Sequence, residues 1–185
     1  MLTLSFSSIK NSKAPLTHIE RDLDMRSEFF DRSKDLLIKA ENVHLEGDLF
    51  YDEPYVIGNF HVTADLVVPS SRSLNPVEYH EDFRFTENYS ETTPTKQELN
   101  DNSDPIVKIE DDKIDLQTAI EDNILLHIPV TILTPEEEEK DIYPEGQDWE
   151  VISESDFEEG KKNQINPAFA KLKDMFKDQD ENSNK

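Results

Sequence analysis

From Ile38 to about Tyr89 apolar and polar residues alternate with a period of two, and no other feature restricts the fold as much. Val43, Leu45, Leu49 and Tyr51 fall on one side, and His44, Glu46, Asp48 and Asp52 on the other, with Phe50 out of pattern. Phe60, Val62, Ala64, Leu66 and Val68 then alternate with Asn59, His61, Thr63 and Asp65. Val77, Tyr79, Phe83 and Phe85 alternate with Glu78, His80, Asp82 and Arg84. Such a pattern predicts antiparallel strands with one buried and one wet face. Asp52-Glu53-Pro54 and Pro69–Pro76 supply the breaks that divide the run into three strands. Glu81 falls on the apolar side between Tyr79 and Phe83, which implies a bulge, an exposed edge or a pairing with Arg72 or Arg84.

Around this region the signals are shorter. Leu2, Leu4 and Phe6 alternate as a brief first strand, and Leu16–Ser33 reads as a helix or turn built on Leu23, Arg26 and Phe30. Thr92–Asp104 is polar and reads as a mobile loop, and Ile106, Lys108 and Asp111-Asp112 suggest a short edge segment. Asp115 is placed to cap a helix over Leu116–Ile128, in which Leu116, Ala119, Ile120 and Ile124 share a face. Pro129 limits that helix. The expected class is therefore α+β: an antiparallel sheet, able to curl toward a barrel, packed with one main helix. Residues 134–160 are acidic and of low complexity. Asn166-Pro167 then opens a short amphipathic helix with Phe169, Leu172, Met175 and Phe176 on one side. The expected organisation is an α+β domain over 1–133 and an acidic tail over 134–185 that ends in this helix.

Charge limits the partners. The chain of 185 residues has a net charge of −23, and residues 81–160 alone carry 25 Asp and Glu against 5 Lys and Arg. A field of that sign repels a phosphate backbone and attracts a basic protein. The lack of cysteine excludes disulfides, thiolate catalysis and Cys-type zinc sites. No apolar run approaches the ~18 residues of a membrane span, and Met1–Lys10 lacks the basic start and apolar core of a signal peptide. A cytoplasmic protein without membrane contact is expected.

Candidate chemistry is sparse. Ser70 and Ser71 lie outside a G-x-S-x-G elbow, and a turn capped by their hydroxyls is the stronger reading. His44, His61 and His80 lie on the polar sides of three strands, where a cross-strand metal site competes with the commoner solvated face. The acidic runs Glu110–Asp112 and Glu136–Glu139 lack EF-hand spacing. His127, near a helix end, suits that end's carbonyls. No catalytic, metal or cofactor site is expected. Trp149, Val151, Ile152 and Phe157 either dock on a basic, apolar partner or fold back on the protein, and the two readings weigh evenly.

The order of the segments VTADLVVPSSRSLNPVEY, DLQTAIEDNILLHIPV, DWEVISESDF and INPAFAKLKDMF resembles the YceD family, the large ribosomal RNA subunit accumulation proteins, in its Gram-positive branch. Ser70 or Ser71 stands where many members carry cysteine, while Arg72, Leu74 and Pro76 fit the family turn. Asn166, Pro167, Phe169, Ala170, Lys171 and Leu172 match its terminal N-P-x-F-A-K-L. A second cysteine cluster found in some relatives is absent. The resemblance implies a role in synthesis, processing or stability of 23S rRNA, and supplies no reaction. The expectation is a non-enzymatic factor that binds a basic ribosomal protein or assembly factor on large-subunit precursors, with rRNA touched at most locally. Ser70, Ser71, Arg72, Leu74, Pro76, Trp149, Pro167, Phe169, Lys171 and Leu172 are its candidate contacts. One alternative is direct rRNA binding through the Arg72 turn, Arg84 and the terminal lysines. Another is a metal-dependent nuclease. The oligomeric state stays open.

Overall fold

The computed structural model describes residues 2–140, 143, 146–154, 157, 158 and 161. The chain begins with strand β1 (Thr3–Ser5), helix α1 (Phe6–Lys10), strand β2 (Thr17–Leu23) and helix α2 (Ser27–Ser33). The long strands β3 (Lys39–Asp52), β4 (Tyr55–Pro69) and β5 (Pro76–Ser90) follow. After them come α3 (Lys96–Asp101), β6 (Ile106–Lys108), β7 (Lys113–Asp115), α4 (Leu116–His127) and α5 (Pro135–Lys140). The chain divides into two compact units, the second starting at Pro135. No helix among the described residues is long and apolar enough to cross a membrane.

The alternating run becomes an antiparallel meander in a five-stranded sheet of order β2-β3-β4-β5-β6, with β6 parallel to the end of β5. β2 and β6 do not pair with each other, so the sheet stays open rather than closing into a barrel. Its apolar side holds Val43, Leu45, Leu49, Phe60, Val62, Leu66 and Val68, packed with Phe6, Phe29, Leu116, Ile120 and Ile124 in one core. Phe60 explains two of the four glycines. A Cβ at Gly47 would collide with its Cδ1, and a Cβ at Gly58 would lie 2.5 Å from its Cζ. The ring occupies the space those side chains would need.

Helix α4 forms where Asp115 accepts a hydrogen bond from Thr118 N at 3.1 Å, as an N-cap should. Its inner face is not wholly apolar. Glu121 is fully buried and accepts from Arg26 Nε at 2.9 Å and from Gln117 Nε2 at 3.1 Å. β1 pairs with β7, and Asp112 ties α1 down by accepting from Ser7 N and from the hydroxyls of Ser5 and Ser7, each at 2.7 Å.

Three segments depart from expectation. Leu16–Ser33 splits into an edge strand and a helix: Thr17, Ile19 and Leu23 alternate with His18, Glu20 and Asp22, but Arg21 on the inner side hides the period. Thr92–Asp104 is not wholly irregular, since Thr95 and Glu98 build a reciprocal capping box that starts α3. At Glu81 the β4–β5 register runs without a bulge, pairing it with Ala64. The helix expected from Asn166, with Pro167, Phe169, Lys171 and Leu172, lies outside the described residues.

Candidate functional site

The wet face of the sheet is an ordered grid of imidazoles and carboxylates. Because neighbouring strands are in register, side chains of one parity line up in rows. One row reads Asp22, His44, Thr63, Asp82 across β2 to β5; the next reads Glu20, Glu46, His61, Arg84; the third reads His18, Asp48, Asn59, Thr86. His80 lies opposite Asp65 beyond the first row.

Each of these four histidines bonds one aspartate. His18 Nδ1 lies 2.9 Å from Asp48, and His44 Nδ1, His61 Nε2 and His80 Nδ1 lie 2.7 Å from Asp22, Asp82 and Asp65 respectively. Asn42, at the β3 bulge with φ 50°, donates to the second oxygen of Asp65 at 2.7 Å. The bond to Asp48 raises the pKa of His18, and that to Asp22 raises the pKa of His44. In turn Asp65 is held low by Asn42 and then His80, and Asp82 by His61.

Those pairs leave an excess of negative charge. Glu20 faces Glu46 directly across β2–β3, an arrangement that costs stability and that His44, its Nε2 3.7 Å from Glu20, offsets only in part. Between the second and third rows a depression of about 320 Å³ is lined by Glu46, Asp48, Asn59, His61, Arg84 and Thr86. The face can therefore receive basic side chains from outside. Among the described residues no three His, Asp or Glu side chains are arranged to hold a metal ion.

The serine turn is built differently. Pro69 and Pro76 close the β4–β5 hairpin, and Ser70 N donates to Asn75 O at 2.7 Å. Ser70 is fully buried, and its Oγ accepts from Arg72 N at 3.1 Å and Ser73 N at 3.3 Å. Ser71 N donates to Ile132 O at 2.8 Å, and its Oγ accepts from Ile132 N at 2.9 Å. Leu74 has φ 64° and projects outward, 74% exposed. Both serines thus serve the backbone as capping groups. Trp149 lies in the second unit, where its carbonyl accepts from Gly146 N at 2.7 Å. The serine turn is not part of the grid.

Glu81 stands apart on the opposite, buried side of β5. It is 2% exposed, and neither carboxylate oxygen has a hydrogen-bond partner. The expected pairing with Arg72 or Arg84 is therefore not made. Arg84 alternates onto the wet face. Burial pushes the Glu81 carboxyl up to about 7.

His44, His61 and His80 are legible as wet-face residues. His18 is not, because its segment reads as a helix or turn; the alternation of His18, Glu20 and Asp22 is the signal that marks it.

Comparison with known proteins places these features in context. The model of the family described as "Large ribosomal RNA subunit accumulation protein YceD" matches residues 58–176, which include the serine turn, α4 and half of the histidine grid. The chain is also 34% identical over 140 residues to "Uncharacterized protein YlbN" of Bacillus subtilis (strain 168), an alignment covering 75% of this chain and 77% of that one. No solved structure gives a significant match.

Proposed function

The chain belongs to the YceD family, named for accumulation of the large ribosomal RNA subunit, and from that premise we propose that it is a non-enzymatic factor in large-subunit biogenesis. It acts in the cytoplasm, supporting synthesis, processing or stability of 23S rRNA by binding a basic ribosomal protein or assembly factor. The observation that carries this reading is the exposed grid on the wet face of the sheet. There Glu20 faces Glu46, and the carboxylates outnumber the single arginine. A basic partner relieves that repulsion, whereas a phosphate backbone adds to it.

Tagged protein should sediment with large-subunit precursors at low salt and leave them as salt rises, because exposed pairs are screened within ~8 Å at physiological ionic strength. Glu46→Lys removes a like-charge contact and so should not harm folding, yet it should shift the protein to the top of the gradient. Wild-type protein found only at the top at low salt would overturn the proposal. Tight binding to protein-free 23S fragments, lost in Arg72→Glu, would move the assignment to direct RNA recognition.

A further inference from the structure

The grid accounts for one face of the sheet, and among the described residues most of the outer edge of β5 is unpaired. β6 pairs with β5 only at Asn88, Tyr89 and Ser90. Over Val77–Glu87 the outer edge makes no backbone hydrogen bond to a third strand among the described residues. That edge is long and unbroken by a bulge, and its last proline is Pro76. Soluble proteins usually blunt such an edge, and unpaired amides and carbonyls in a row are a template for another strand.

Glu81 lies midway along this edge. Its neighbour on the inner strand, Ala64, has no group to offer it, so the only other position beside it in register is on the missing strand. A buried carboxylate with no hydrogen-bond partner is costly and rare. Tyr79 and Phe83 flank it on the same side, one partly buried and the other buried.

We propose that the β5 edge is a strand-addition site: an extended segment of a basic partner protein pairs with Val77–Glu87 and sets a lysine or arginine beside Glu81. The backbone pairing supplies affinity without sequence preference, and the buried carboxylate selects a cation at one position. Glu81 is already shut off from water in the free protein, so an ion pair formed there is strong only when the docking is in register. The inference rests on the basic partner proposed above, but it concerns a different surface from the histidine grid.

The probe is a capped peptide of alternating threonine and valine with one central arginine, and its control carries citrulline instead, of nearly the same shape and uncharged. At neutral pH the arginine peptide should bind at least about tenfold more tightly, as expected for a hydrogen-bonded charge. Glu81→Gln should abolish that difference, and amides of Val77–Glu87 should gain protection from hydrogen exchange on binding. Glu81→Leu should bind the arginine peptide no better than the citrulline one while unfolding at a temperature no lower than wild type. Loss of binding then cannot come from misfolding. Equal affinity for both peptides, absence of binding, or edge amides already protected in the free protein would each overturn the inference. If the peptides fail while the wild-type protein still sediments with precursors and releases with salt, only the edge assignment falls. If sedimentation fails as well, the basic-partner reading falls with it.

Discussion

Two buried glutamates illustrate opposite uses of burial. Glu121 is desolvated, which alone would raise its pKa, but the Arg26 bonds outweigh that and hold it below the ordinary range. Its contribution to stability is present above the unfolded value near 4.5 and is lost as pH falls through the lowered folded value. Glu121→Ala leaves Arg26 without its partner and should cost on the order of 3–5 kcal/mol in urea unfolding at neutral pH. Glu81 has no such partner, and its folded value of about 7 lies above the unfolded one. The sign therefore reverses: stability declines as pH rises from about 4.5 to about 7, by on the order of 3 kcal/mol in total. Glu81→Leu should be neutral near about pH 4 and more stable than wild type near about pH 8, read from melts at both. A gain that does not grow with pH would show that the Glu81 carboxyl titrates in the fold as it does in the unfolded chain.

At the scale of elements, the apolar period carried most of the information. β3, β4 and β5 are where the alternation puts them, because a half-buried strand writes its two faces into every second residue. α4 also begins at its cap and ends before Pro129, one residue short of the expected span. β2 escaped because it is an edge strand, where Arg21 can sit among inner-side residues without penalty. α3 escaped because its one apolar residue, Leu99, sets no period; only the Thr95–Glu98 box marks it. The grid itself was half legible. Alternation tells which residues share a face, but the rows depend on register, and register is set by pairings distant in sequence. Close packing between elements was equally hidden, as at Gly47 and Phe60. Gly47→Ala should cost at least about 2 kcal/mol through overpacking. Phe60→Ala should cost about 3–5 kcal/mol by leaving a cavity. Because the two changes act on the same space, the double variant should be less destabilised than their sum. Strict additivity in denaturant melts would exclude the contact as the reason for the glycine.

For the whole molecule, the titrating groups pull in one direction above about pH 5 and in the other below it. His18 and His44, with raised values, add stability that is complete below about 6.5 and is lost as pH climbs through their folded values. Glu81 adds its own decline over a neighbouring interval. Asp65, Asp82 and Glu121, held low, withdraw stability only in acid. With a net charge of −23 also strengthening self-repulsion at high pH, the melting temperature should peak near about pH 5 rather than about pH 8. A maximum at or above neutrality in a calorimetric pH series would contradict it. The serine turn carries a last consequence. In a chain without cysteine, the β4–β5 junction is closed with hydroxyls: Ser70 gathers the amides of Arg72 and Ser73, and Ser71 clasps Ile132. A hydroxyl neither cross-links on oxidation nor calls for zinc. The geometry of that corner is thereby indifferent to thiol oxidants, to reductants and to chelators, and changes in redox balance or metal supply leave it as it was folded.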